Sequence, residues 1–325
     1  MTARAPLAPW QARVYDHLVS VHEADRLGHG VLFAGPAGIG KRAVVERLAQ
    51  RVLCRQPAAD GQPCFECRSC HLIAAGTHPD YAYVSFIPNK EGTKLRTEIV
   101  IDQVRELSER LALTPQYGGA QVAIIDPADA INHAASNALL KTLEEPQPGR
   151  YLWLLTAHPA RLSATIRSRC HRVEFRLPAR DEALAWLATQ GHAAAAATEA
   201  LDAARGHPGL AHEWSSGGGL ALRRAVARDL DSLEQGKASA LTTAQAWVAD
   251  EFAELRLRHA ADLALQRASG LTDPGRTRRL AAWFDAANRT RDLLRTTVRA
   301  DLAVTELLLA WRGDAPAQVA RGGRT

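Results

Sequence analysis

Three groups of residues in this chain have types and spacings that could do chemistry. The first is Gly35-Pro36-Ala37-Gly38-Ile39-Gly40-Lys41, a glycine-rich run closed by a lysine. It fits G-x-x-x-x-G-K, in which glycines let backbone N–H groups close on phosphate oxygens while the lysine reaches the outer phosphates. Gly35, Gly38, Gly40 and Lys41 are therefore the candidate nucleotide-binding residues. The next position departs from the pattern. Arg42 stands where a Ser or Thr hydroxyl would hold Mg²⁺, and a guanidinium has five donors and no acceptor, so it cannot ligate a cation.

The second group is Cys54, Cys64, Cys67 and Cys70, four of the five cysteines, with two C-x-x-C steps. In a reducing compartment this density points to metal rather than disulfides. Four thiolates at this spacing make a closed, structural zinc site with no open position for catalysis. An iron–sulfur cluster, a redox C-x-x-C and simple buried thiols compete with it. The bacterial cluster run places its fourth Cys downstream, before Pro, whereas Cys54 lies upstream. His71 and His78 flank a shell that is already full and are not read as ligands.

The third group is a set of arginines, Arg161, Arg167, Arg169 and Arg172, around the triplet Ser168-Arg169-Cys170. Residue types alone do not choose among them, since each also reads as a solvated or carbonyl-capping side chain. Asp126 belongs with this chemistry because it ends an apolar run, Ala120 to Asp126. In nucleotide hydrolases such an acid supports the metal and a following Glu positions water, but here Pro127 follows. Asp126 reads equally as the cap of the next turn and as a relic of a metal site.

The elements that must position these groups follow from periodicity. Gly30 to Ala34 is a buried strand entering the glycine loop, and Val44, Val45, Leu48, Ala49, Val52 and Leu53 recur at helical spacing after it. Tyr81 and Tyr83 suggest a strand, Asp102 the cap of a helix carrying Val104, Leu107 and Leu111, and Tyr151 to Ala157 a further strand. A helix around Asn137 to Glu145 stops at Pro146. Alternating strands and helices imply an α/β domain with a parallel sheet wrapped by helices. From Pro178 the pattern is helical: Asp181 to Gln190, Ala193 to Ala204, a break at His207-Pro208-Gly209, then a flexible junction at Ser215 to Gly219. Three long amphipathic helices follow, over Leu220 to Leu233, Leu241 to Leu265 and Arg276 to Trp311.

Composition sets the frame. The 325 residues suffice for two or three domains, 46% are apolar, and 40 basic against 35 acidic residues leave a net charge of +5. A mildly basic balance permits nucleic acid as a partner without requiring it. No charged-then-apolar leader and no apolar run of membrane-spanning length is present, so the chain is expected to be cytoplasmic.

The glycine loop with Arg42, the four-cysteine insert after its helix, the Asn137 to Pro146 helix and the Ser168-Arg169-Cys170 triplet together resemble the delta-prime family of bacterial DNA polymerase III clamp-loader subunits, which are AAA+-type proteins. The resemblance covers about the first 215 residues and continues more weakly beyond. It implies a non-hydrolysing member of a hetero-pentamer that uses ATP to load a ring-shaped sliding clamp onto primed DNA, within a DNA-directed DNA polymerase holoenzyme, a nucleotidyltransferase. The implied partners are the motor subunits, the delta subunit, the clamp and DNA. Arg169 is the implied trans arginine, reaching ATP on a neighbouring subunit. The motor subunits sense nucleotide with an arginine on a second domain, and Gly209 stands at that place here. The glycine loop is then vestigial, holding ATP weakly or not at all.

The implied organisation is an AAA+-type nucleotide-fold domain over 1–177 with a zinc module at 54–70, a small helical lid over 178–216, an all-α collar for oligomerisation over 217–313, and a disordered tail over 314–325. Two other classes of function compete: an ATP-hydrolysing motor subunit, and a zinc-containing DNA-binding regulator, which would bind DNA with strong salt dependence.

Overall fold

A computed structural model describes residues 5–89, 91–117, 119–294 and 296–312. The expected tail over 314–325 lies outside the described residues. The chain divides into two compact units, Met1–Gly191 with Gly206–Leu210, and His192–Arg205 with Ala211–Thr325.

The first unit is built on a parallel sheet. The apolar run before the glycine loop forms β1 (Gly30–Ala34), buried at all five positions. It is joined by β2 (Tyr81–Val84), β3 (Gln121–Ile125), β4 (Arg150–Thr156) and β5 (His171–Glu174), in the order β2-β3-β4-β1-β5. Alternate residues of a strand point to opposite faces. Val31, Phe33, Val122, Ile124, Trp153 and Leu155 accordingly pack with α1 (Pro9–Glu23) and α2 (Lys41–Leu53) in one core. Leu32, Ala123, Ile125, Leu152 and Leu154 pack on the other face with α4 (Ile101–Ala112) and α5 (His133–Glu144). Both faces are covered, which is why the strands read as continuous apolar runs.

Because all five strands are parallel, the loops that follow β1, β3 and β4 leave from one edge of the sheet. Segments that precede strands lie at the opposite edge. The remaining helices of this unit are α3 (Arg68–Ala74), α6 (Ala164–Arg167) and α7 (Arg180–Thr189).

Two local expectations change. Residues 163–172 were not expected to hold an element, yet they supply α6 and the start of β5. This edge strand exposes His171, Arg172 and Glu174 and lacks apolar alternation. Asp102 does not cap α4: Val100 holds the cap position, and Gln103 Oε1 accepts the Val100 N–H at 3.2 Å. Asn132 caps α5, accepting from Ala135 N at 2.9 Å.

Among the described residues the second unit has only helices, with α8 (Ala194–Ala203), most of α9 (Pro208–Ser216), α10 (Gly219–Glu234), α11 (Ala240–Trp247), α12 (Ala253–Ser269), α13 (Pro274–Leu293) and α14 (Ala300–Arg312). Its core gathers Val226, Leu230, Trp247, Trp283, Leu308 and Trp311 from different helices. Two of the three long helices expected here are each split in two. Asp250 breaks the first by accepting Phe252 N at 2.9 Å and pairing with Arg256, a local bond that competes with the helix ladder. Thr296 marks the second break, its hydroxyl turned back to Leu293 O at 2.7 Å, and Arg299 pairs with Asp301 at 2.6 Å as α14 begins.

The run Ser215 to Gly219 is a tight helix-to-helix corner rather than a flexible junction, with Gly217 N donating to Glu213 O at 2.8 Å. Among the described residues no helix is long and apolar enough to cross a membrane.

Candidate functional site

The glycine loop leaves β1 toward α2 with its polar groups already engaged. Lys41 Nζ donates to Gly35 O at 2.7 Å and Pro36 O at 2.8 Å, and burial pulls its ammonium below the ordinary lysine range. Trp10 Nε1 and Gln11 Nε2, from α1, both donate to Ile39 O at 3.1 Å. Gly40 sits at φ +97°, and a Cβ there would run into the Gln11 amide, so the position needs glycine for conformation and for space.

Arg42 turns its charge on the acid that follows β3. Its Nε donates to Asp126 Oδ2 at 2.8 Å, and its Nη2 lies 2.8 Å from the same oxygen. Tyr83 OH donates to that oxygen at 2.8 Å, and the guanidinium carbon stands 5.2 Å from the Tyr83 ring centroid. Burial and the Asp126 charge push the Tyr83 phenol above its ordinary value, which keeps it a donor. Asp126 is thus the counter-ion of Arg42 rather than the cap of the next turn, where Pro127 holds the cap position. Thr156, at the end of β4, donates to Asp129 Oδ1 at 2.6 Å.

The loop is also covered from outside. His207 Nδ1 accepts from Leu210 N at 3.1 Å, which fixes the tautomer, so Nε2 carries the hydrogen donated to Ala37 O at 2.8 Å. Gly209, at the start of α9, packs so closely that a Cβ would stand 2.2 Å from Gly38 O. At Gly209, therefore, no larger residue fits against the loop. His207, Tyr83 and Gln11 were not foreseen as part of this site. They come from segments 28 to 170 residues away in sequence from the groups they touch, and only the His207 segment had been marked, through Gly209.

Arg169 lies at the other edge of the sheet. It precedes β5, whose His171 is in register with Val31, and its carbonyl would stand 3.2 Å from a Cβ on Gly30, the first residue of β1. The strand between Gly30 and the loop spans roughly 13 Å at about 3.3 Å per residue. The Arg169 side chain is about a third exposed, with Nη2 2.7 Å from Glu144 Oε1 and Nη1 donating to Thr165 O at 3.0 Å. Arg172 pairs instead with Glu174 at 2.9 Å. Burial pushes the neighbouring Cys170 thiol up to about 11.

Cys54, Cys64, Cys67 and Cys70 converge, all four Sγ atoms within 4.8 Å of one another and none in a disulfide. Cys54 to Cys64 is 3.5 Å, and Cys54 to Cys67 and Cys64 to Cys70 are each 3.9 Å. A tetrahedral ion with metal–sulfur bonds of about 2.3 Å separates its ligands by about 3.8 Å, so the arrangement fits one metal ion. Burial pushes the Cys54 and Cys70 thiols up, whereas at Cys67 backbone N–H groups outweigh burial and hold the thiol down at about 6. His78 is no ligand: its Nε2 lies 2.8 Å from Ser69 Oγ and its Nδ1 accepts from Asp80 N at 3.0 Å. His71 is exposed on α3.

Known proteins agree with this architecture. A family described as "DNA polymerase III, delta subunit" matches residues 10–179. The chain is 38% identical over 245 residues to DNA polymerase III subunit delta' of Pseudomonas aeruginosa, covering 75% of this chain and 72% of that one. To the protein of the same description from Escherichia coli K12 it is 37% identical over 182 residues, 56% of this chain and 52% of that one. The fold matches the crystal structure of a DNA polymerase III gamma subunit-related protein from Thermotoga maritima, with a TM-score of 0.53 and 16% identity, over 92% of this chain and 99% of that one. The expected parallel-sheet, AAA+-type fold with a helical C-terminal region is the one observed.

Proposed function

Because the chain belongs to the delta-prime family of DNA polymerase III subunits, we propose that it is a non-hydrolysing clamp-loader subunit that lends Arg169 to ATP bound on a neighbouring motor subunit. The observation that carries this is the placement of Arg169. An exposed guanidinium at the strand-start edge is out of reach of this chain's own glycine loop, so any phosphate it meets belongs to another chain. A guanidinium supplied in trans to a transferring phosphoryl group is worth ~10³–10⁵ in rate. The loop supports the same reading from the other side: Lys41 is turned back on its own carbonyls, Arg42 holds Asp126, and Pro127 stands where a water-positioning Glu would be.

In this proposal the four cysteines hold structural zinc. Residues 178–216 act as the lid and 217–313 as the collar that packs against the motor and delta subunits, in a cytoplasmic complex that receives the clamp and primed DNA. The motor-subunit alternative is disfavoured by the Arg42–Asp126 pair, which leaves the acid no role in holding Mg²⁺.

The test is ATP turnover, stimulated by clamp and DNA, in a loader reconstituted from its partner subunits. The complex carrying Arg169→Ala should assemble normally and slow by tenfold or more, while the isolated chain and its Arg42→Thr variant release no phosphate. Turnover by the isolated chain, or normal turnover with Arg169→Ala, would overturn the proposal.

A further inference from the structure

Resting on the trans role of Arg169, we infer that Glu144 is an exchangeable stand-in for the neighbour's phosphate, the anion that holds Arg169 until ATP replaces it. Glu144 is the last residue of α5, and its Oε1 lies 2.7 Å from Arg169 Nη2. A carboxylate is electrostatically misplaced at a helix C-terminus, where the macrodipole favours cations, and the guanidinium offsets that. Glu174 lies at the opposite end of β5, in register with Ala34, where it pairs with Arg172 and Arg176 at 2.9 and 3.0 Å. Thr165 O accepts from Nη1, so one face of the fork is held by the chain's own backbone while Nη2 faces the carboxylate.

Carboxylate and phosphate oxygens compete for the same donor fork. The pair is built for exchange rather than permanence, because the two side chains are 36% and 48% exposed, and an ion pair of that kind is worth up to about 1 kcal/mol. Releasing Glu144 leaves it in water, with no buried charge behind. Thr165 O keeps the guanidinium aimed while the anion changes. The carboxylate thus lowers the affinity of the neighbour's site for nucleotide without blocking it, and prevents an unoccupied arginine from capturing other anions.

The experiment uses the reconstituted loader with wild-type chain, Glu144→Gln, Arg169→Ala and the double variant. It reads the affinity for a non-hydrolysable ATP analogue together with KM and kcat for ATP. Glu144→Gln keeps shape and removes charge, so affinity should rise and KM fall by up to about fivefold, the factor equivalent to 1 kcal/mol, with no fall in kcat. In the Arg169→Ala background the same change should do nothing. Glu144→Asp, charged but too short to reach, should fall between wild type and Gln.

A fall in kcat with Glu144→Gln would overturn the inference by making Glu144 an orienting residue, and unchanged affinity would reduce the pair to a surface contact. An effect that persists without Arg169 would overturn it too. Failure of the underlying reading is distinct, because there Arg169→Ala alone turns over normally.

Discussion

At position 42 a guanidinium replaces a hydroxyl, and the exchange alters more than one ligand. A hydroxyl would leave Asp126 free to support a metal; Arg42 engages it directly, with Tyr83 donating to the same oxygen. Gly209 acts at the same scale by contact rather than charge. Its hydrogen faces Gly38 O across a gap that no Cβ fits. Gly209→Ala should therefore destabilise the chain by about 1–3 kcal/mol through overpacking. Thermal melting reads this as a fall of roughly 2–4 °C per kcal/mol for a unit of this size; an unchanged melting temperature would mean that the segment does not press on the loop.

Among elements, the insert between α2 and β2 is the one the zinc proposal concerns. Segment 54–70 has little apolar core, and α3 is tied down by Ser69 Oγ, which donates to Leu53 O at 2.6 Å. Closing four thiolates on one ion would supply the missing folding energy. Atomic emission should find one zinc per chain in the wild type and none in Cys67→Ser, and removing the ion with a chelator should lower stability by about 3 kcal/mol or more. Iron in place of zinc, or full stability without metal, would count against the structural-zinc proposal.

The two units of the molecule carry separate cores, and one buried base makes the second unit sensitive to acid. His259 on α12 is fully buried, edge-on to Trp214 at 4.6 Å between ring centroids. Burial, with the Arg223 and Arg258 charges, holds its imidazole down at about 4 against an ordinary value of 6.5. The folded state therefore prefers the neutral ring. That contribution is complete above pH 6.5 and is lost as pH falls from 6.5 towards 4, withdrawing roughly 3 kcal/mol across the window. Melting curves of the wild type should steepen over this range, and His259→Gln should flatten the slope whatever its effect at neutral pH. An equal slope in both would place the acid sensitivity elsewhere.

Much of the molecule was legible before folding was considered, because the relevant signals are local. The glycine loop, its flanking strand and helix, the four clustered cysteines and the fully buried strands are written in consecutive residues whose spacing follows from strand and helix geometry. The triplet that contains Arg169 was legible only through resemblance, since nothing in the residues distinguishes that arginine from its neighbours. β5 escaped notice because an exposed edge strand carries no apolar alternation, and two helices were read too long because Asp250 and Thr296 break them through side-chain bonds rather than through proline or glycine.

What tertiary structure decided are the contacts made at long sequence separation. Arg42 reaches Asp126 across 84 residues, His207 reaches Ala37 across 170, and Glu144 meets Arg169 where α5 ends beside the start of β1. Only the parallel register of the sheet puts Arg169 at one edge and the glycine loop at the other. Sequence determines which groups a chain possesses; the packing of distant segments determines which of them meet, because a side-chain contact is a property of distance in space.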